Sequence, residues 1–190
     1  DEVYPPGFGT TITVDGPSGG LEGDLRPTHF AGVATVVAKL LLMVRPDRVV
    51  FGQKDAQQVA VVRRLMRDLH LDDVQMVVAP TVRDDDGLAR SSRNAYLSAT
   101  ERDEALALSR GLRAAQSAVA SGERDAATLE ALARREMEAV AGLRVDYARL
   151  VDADTFSPLH RLDRPAVLCV AARAGTTRLI DNVPLTPGTP

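Results

Sequence analysis

Arg48-Val49-Val50-Phe51-Gly52-Gln53-Lys54-Asp55-Ala56-Gln57-Gln58 is a short apolar run that ends in glycine and opens an amphipathic helical pattern. A strand that turns into a helix at a glycine leaves bare backbone N–H groups at the carboxyl edge of a sheet. Open α/β folds hold ligands at that edge, and a helix start favours anions. Lys54 adds a full positive charge there. Lys39 and Lys54 are the only lysines among 23 cationic side chains, so arginine is the default cation and a lysine at this edge asks for a reason.

Working outward, His29 to Val44 carries apolar residues on most faces (Phe30, Val33, Val36, Val37, Leu40, Leu41, Val44) and predicts a largely buried helix. Thr28 is its expected N-cap, and Arg45-Pro46-Asp47 ends it. Val49 to Phe51 reads as a short, fully buried strand. The next helix is expected from about Asp55 to Leu69, with Val59, Val62, Met66 and Leu69 as its buried stripe and Arg63, Arg64 and Arg67 facing water. Val74 to Ala79 is another buried strand. Helix, strand, helix, strand predicts a parallel sheet with crossover helices. Only two good strands are visible where a doubly wound sheet has five or six, so the sheet is expected to be incomplete. Ahead of these elements, Asp1 to Gly7 reads as loop, Thr10 to Val14 as a short strand and Gly16 to Pro27 as a loop.

The character changes at Pro80. Pro80 to Asn94 is polar, with Asp84-Asp85-Asp86-Gly87 as a solvated turn. Ser98 and Glu101 form a capping box for a long helix reaching about Gly122. A second helix runs from Ala126 to about Val140. Strand candidates follow at Asp146–Asp152, Ala166–Ala172 and Thr176–Asn182, the last two pairing antiparallel across a Gly175 turn. The fold class expected is therefore α/β: a partial Rossmann-like parallel sheet over residues 1–81, then an α+β lid domain with an antiparallel sheet over residues 82–190. The tail from Thr186 to Pro190 is expected to be disordered.

The 190 residues are 45% apolar, enough for a sizeable core, and carry a net charge of −3. That balance argues against a general nucleic-acid or membrane-surface binder. No apolar run approaches spanning length, and no leader pattern opens the chain. Cys169 stands alone in an apolar setting and reads as a small core residue, with a cytoplasmic location as the plain inference. His29 reads as a cap-region residue, His70 and His160 as surface residues. No His or Cys pair has zinc-ligand spacing.

Two constellations could carry chemistry. Gly52, Lys54, Asp55 and Gln58 suit an anion at a helix start. They equally suit a plain helix entry in which Asp55 caps, Gln58 partners it and Gly52 eases a sharp turn. Arg90-Ser91-Ser92-Arg93-Asn94 offers hydroxyls beside guanidiniums, a dense donor set for phosphate oxygens. Its plainer reading is a polar linker with serine turn bonds. Together the two stretches read as two sides of a polyphosphate clamp. No Gly-x4-Gly-Lys-Ser/Thr loop occurs anywhere.

Four motifs follow one another: Arg26-Pro27-Thr28-His29-Phe30-x-Gly32-Val33; Phe51-Gly52-x-Lys54-Asp55-x-Gln57-Gln58; Ser91-Ser92-Arg93-Asn94-x-Tyr96-Leu97-Ser98; and Gly175-Thr176-Thr177-Arg178-Leu179-Ile180-Asp181-Asn182. In this order and spacing the chain closely resembles the pantothenate synthetases, the pantoate–β-alanine ligases of the nucleotidylyl-transferase superfamily. The resemblance implies ATP-dependent condensation of pantoate with β-alanine through a pantoyl adenylate, releasing AMP and pyrophosphate. It implies that Lys54 contacts the ATP phosphates, Gly52 and Asp55 hold the ribose, and Gln58 binds pantoate. The Val82 backbone meets the adenine, Ser91 and Ser92 bind phosphates, and Arg93 faces the reacting centre. Lys54, Ser91, Ser92 and Arg93 are thus the catalytic set, with Mg²⁺ accompanying ATP and a homodimer as the expected assembly.

The chain departs from the family pattern in two ways. Arg90 stands where the family usually has Met, which puts the anchoring of the serine loop in question and adds charge beside it. The family's Met-Gly-x-Leu-His-x-Gly-His motif and a further pantoate glutamine are absent. The expectation is that roughly the family's first third is missing, and the alternative to the ligase reading is that the chain by itself is a non-catalytic fragment with at most weak nucleotide binding and dimerisation. A third reading, an adenylating enzyme that charges RNA, is disfavoured by the acidic charge balance.

Overall fold

The structure is a computed structural model and describes residues 2–188; Asp1 of the expected opening loop, and Thr189 and Pro190 of the expected disordered tail, lie outside it. The chain divides into two compact units. One runs up to Ala79 and takes in Asp154–Phe156; the other comprises Pro80–Ala153 and the chain from Ser157 on.

In the first unit, α1 (Glu22–Leu25) and α2 (His29–Val44) precede β1 (Arg48–Gly52), a 3₁₀ turn (Gln53–Asp55), α3 (Ala56–Asp68) and β2 (Gln75–Ala79). β1 and β2 pair in parallel, Val50 opposite Val77, with α3 as the crossover that a parallel pair requires. Phe30, Ala34 and Ala38 of α2 and Val61 and Leu65 of α3 form one cluster with Val14.

Several expectations for this unit need correction. Thr10–Val14 is not a strand. The Ile12 N–H donates to Thr35 Oγ1 of α2 at 2.9 Å, so this backbone is tied to a helix side chain. The Gly16–Pro27 loop contains α1. Thr28 does not cap α2 through its side chain. Leu40, Leu42, Met43 and Val44 of α2 are exposed, so only one face of that helix is covered. The two strands alternate in burial, with Val50 63% exposed. This is the pattern of a sheet covered on one face, and it differs from the fully buried strands expected. In α3, Val59, Val62 and Met66 are buried as expected, but Leu69, past the helix end, is exposed.

Lys39 lies over the Phe8 ring at 4.2 Å and the Tyr4 ring at 5.7 Å from the ring centres. A cation over two aromatic faces holds the early chain against α2.

In the second unit, α4 (Ala99–Ala120) and α5 (Ala126–Glu138) pack against an antiparallel sheet of β3 (Leu143–Asp152), β4 (Ala166–Ala174) and β5 (Thr177–Leu185), in that order. The class read from the sequence, α/β with an antiparallel second sheet, is the class observed. The Ser98–Glu101 capping box is present, with the Glu101 N–H donating to Ser98 Oγ at 3.2 Å and the Ser98 N–H donating to Glu101 Oε2 at 2.8 Å. Asp125 caps α5 by accepting from the Thr128 N–H at 2.8 Å. Leu108, Leu112, Leu129, Met137, Leu150 and Leu168 build the core. Gly111 lets α4 press on α5, since a Cβ there would lie 2.6 Å from the Ala133 carbonyl oxygen. Cys169 is buried on β4, as its apolar setting predicts.

Candidate functional site

The candidate residues fall into two groups, one in each unit. Gly52, Lys54, Asp55 and Gln58 stand at the β1–α3 junction. Gly52 has φ −84° and ψ 133°, ordinary extended backbone, and a Cβ there would meet nothing within 4 Å. The expected sharp turn therefore does not explain this glycine. Asp55 occupies the N-cap position of α3 without a side-chain cap bond, so the expected Asp55 cap with Gln58 as its partner is absent. Gly52 and Asp55 are exposed, while Lys54 and Gln58 are half-buried.

The residue that builds this junction is Gln57, which is 5% exposed. Its Oε1 accepts from the Glu22 N–H at 3.0 Å. Its Nε2 donates to the carbonyls of Pro17 at 3.0 Å, Gly19 at 2.9 Å and Gly20 at 3.1 Å. One amide thus binds the Gly16–Gly20 turn and the start of α1 to the first turn of α3. Sequence reasoning passed over it as part of a motif. The available signal was its register: Gln57, Val61 and Leu65 recur every four residues, so a polar group sits on the apolar stripe.

In the second unit the structure brings Val82 and the serine segment onto one closed turn. The Arg90 N–H donates to the Val82 carbonyl at 2.9 Å, and the Asp84 N–H donates to the Leu88 carbonyl at 2.9 Å. Gly87 turns the chain with φ +95°, a conformation that favours glycine. Ser91 Oγ accepts from the Arg93 N–H at 3.2 Å, capping a 3₁₀ turn over Ser92–Tyr96. The plain reading of Ser91 as a turn-former therefore holds for that bond. Ser92 and Arg93 are described by the same short turn, with Ser92 exposed, as is the Val82 side chain.

The turn is bolted to β5. Arg83 Nη1 and Nη2 donate to Asp181 Oδ2 and Oδ1 at 2.6 and 3.1 Å, and Nη1 also donates to the Gly87 carbonyl at 3.2 Å. Asp181 is 3% exposed and also accepts from the Asn182 N–H at 2.8 Å. No local signal in the sequence joins positions 83 and 181. Asp181→Ala should lower stability by about 2–3 kcal/mol in urea unfolding, because it strips a fork-shaped pair and leaves the guanidinium under-satisfied. A loss below about 0.5 kcal/mol would show the pair to be no better than a surface contact.

Asp84 to Gly87 form the turn expected of them, exposed at Asp85 and Asp86 and with the Gly87 N–H donating to the Asp84 carbonyl at 2.8 Å, but two of its carboxylates are also paired. Asp84 pairs with Arg90 and Arg102, and Asp86 pairs with Arg102. His29 packs its ring on Phe30 at 5.0 Å in the first turn of α2. His70 and His160 are exposed as expected.

The chain matches the family model described as pantoate-beta-alanine ligase over residues 1–184. The chain belongs to the pantoate-beta-alanine ligase family. It is 56% identical over 185 residues to a pantothenate synthetase of Myxococcus xanthus, covering 96% of this chain and 63% of that relative. The chain thus spans under two thirds of the length of that curated relative. A crystal structure of pantothenate synthetase from Thermus thermophilus superposes with a TM-score of 0.91 at 45% identity, covering 98% of this chain and 67% of that one. A pantoate-beta-alanine ligase from Francisella tularensis, complexed with beta-gamma ATP and beta-alanine, superposes with a TM-score of 0.67 at 28% identity, covering 99% of this chain and 62% of that one.

Proposed function

We propose that this chain carries part of the site of an AMP-forming ligase that joins pantoate to β-alanine. The observation that supports this most directly is the family match across residues 1–184, with the motif residues clustered on one strand–helix junction and one closed turn. The Francisella relative's complex with beta-gamma ATP and beta-alanine supports a nucleotide and an amine as substrates.

In the first step a pantoate carboxylate oxygen attacks the α-phosphorus of ATP, the bond to the bridging oxygen breaks, and pyrophosphate leaves. Lys54 would neutralise charge growing on the phosphate oxygens, and the Ser91 and Ser92 hydroxyls would donate to them, with Arg93 beside them. Gly52 and Asp55 would take the ribose; the bare space over the Gly52 Cα lets a sugar approach the backbone. Gln58 would orient pantoate, and the Val82 backbone would meet the adenine. In the second step the neutral amine of β-alanine attacks the acyl carbon, AMP leaves with the bonding pair, and the nitrogen loses a proton. Holding the reactants in line can supply roughly 7–11 kcal/mol of the barrier.

Magnesium would arrive on the triphosphate. Among the described residues no group of three His, Cys, Asp or Glu side chains could hold a metal ion, and magnesium commonly binds through nucleotide phosphates and water. Residues 1–81 would serve as the nucleotide-binding domain and 82–190 as a lid that keeps water from the mixed anhydride. A cytoplasmic homodimer with no nucleic-acid or membrane partner completes the reading. No helix among the described residues is long and apolar enough to cross a membrane.

The test is the full-length protein with MgATP and pantoate, assayed for exchange of labelled pyrophosphate into ATP, then for AMP release on adding β-alanine. Pantoate-dependent exchange without β-alanine is the expected result. No exchange and no AMP would overturn the proposal.

A further inference from the structure

Arg90 directly precedes the paired serines, and its Nε donates to Asp84 Oδ1 at 2.7 Å. The other oxygen of the same carboxylate, Oδ2, accepts from Arg102 Nη2 at 2.9 Å. Arg102, in the first turns of α4, also reaches Asp86 Oδ2, through Nε at 2.9 Å and Nη2 at 2.7 Å. One carboxylate thus joins the residue before the serine segment to the helix that follows it. An isolated ion pair this exposed contributes little, whereas a network of shared charges fixes geometry. The Arg102 guanidinium, and after it that of Arg90, holds the Asp84 carboxyl below its ordinary range, so the carboxylate is charged at neutral pH.

We propose that Asp84 latches Arg90 to Arg102, and that Arg90 is a positioning residue for Ser91 and Ser92 and not a ligand of the nucleotide phosphates. The inference rests on the adenylation role proposed for those serines and assigns the part played by Arg90 beside them. Arg90 is 66% exposed at its side chain yet aims its Nε along the turn, at Asp84. The segment that would meet phosphate is short, and its Ser91 hydroxyl already accepts one backbone bond. Holding such a segment in its working conformation before the ligand arrives spares the ordering cost at binding.

The test uses the full-length protein with Arg90→Gln, Asp84→Ala and the double variant, measured by pantoate-dependent exchange kinetics and by amide hydrogen exchange over residues 82–96. Each single variant should lower kcat by roughly threefold to tenfold with little change in KM for ATP. The double variant should be no worse than Asp84→Ala alone, and Arg90→Lys should recover part of the loss. Both single variants should raise amide exchange in the turn. Losses that multiply in the double variant would overturn the latch. So would a raised KM for ATP in Arg90→Gln that Asp84→Ala does not share, since that pattern marks a direct phosphate contact. Unchanged amide exchange in both single variants would also overturn it, whatever the activity. A wild-type protein with no exchange activity brings down the adenylation reading instead, and the amide exchange still decides the latch.

Discussion

Gln57→Leu should destabilise the protein by about 3–4 kcal/mol, a large share of the roughly 5–15 kcal/mol that holds a typical domain folded. The replacement is close in size, so little of the loss would come from a void. The loss comes chiefly from the Glu22 N–H and the Pro17 carbonyl, whose bonds to the amide are buried and which lose that partner, while the exposed Gly19 and Gly20 carbonyls can turn to water. Gln57→Glu separates the two ends of the amide. It keeps an acceptor for the Glu22 N–H but turns a carboxylate oxygen toward three carbonyls. Such a carboxyl has its folded pKa raised above the unfolded value. Its penalty is absent below the unfolded pKa and grows as pH rises through the folded one, so this variant should regain stability as the solution is acidified. Urea unfolding at several pH values measures both. A Gln57→Leu protein as stable as wild type would remove the amide from its place as the organiser of the β1–α3 junction.

Lys54→Ala should lower the rate of pantoate-dependent exchange by roughly 10²–10³-fold, the range seen when one preorganised group that stabilises transition-state charge is deleted. Stability should change far less than activity, with Tm within about 4 °C of wild type, because truncating a residue outside the core clusters costs about 1 kcal/mol or less. Lys54 is half-buried on the 3₁₀ turn and belongs to no core cluster. Thermal unfolding and exchange kinetics on the same preparation decide between the two uses of the residue. Parallel loss of stability and activity would make Lys54 a structural lysine, and a small loss of activity alone would remove it from the phosphates.

Much of the architecture could be read before any coordinates. The strand–helix–strand order around Phe51-Gly52, the Ser98–Glu101 box and the Gly175 hairpin are local patterns, and local patterns survive folding. What failed depends on neighbours. Val50 and Val77 are apolar in a short run, and a run that short cannot show whether one face of its sheet is covered or both. Thr10–Val14 has strand composition, but a strand needs a partner edge, and here Thr35 takes the Ile12 N–H instead. The turn at Asp84 to Gly87 is present as read, but the pairing of Asp84 and Asp86 with Arg102 was not legible because that partner lies a helix start away. Arg83 and Asp181 meet across 98 positions, beyond the reach of any local pattern. The candidate site was legible as motifs, and the motifs named the residues thought to touch ligand. They did not name Gln57, Asp181 or Arg102 as the groups that hold those residues in place.

The bond from the Arg90 amide to the Val82 carbonyl has a consequence for how this segment could change over time. The adenine contact proposed at Val82 and the phosphate contacts proposed at Ser91 and Ser92, just past Arg90, are spaced by a main-chain ring. Inserting or deleting one residue between positions 82 and 90 would shift both ends together. Tolerance here should therefore be confined to substitutions that spare Arg83, Asp84 and Gly87, and be nearly nil toward a change in loop length.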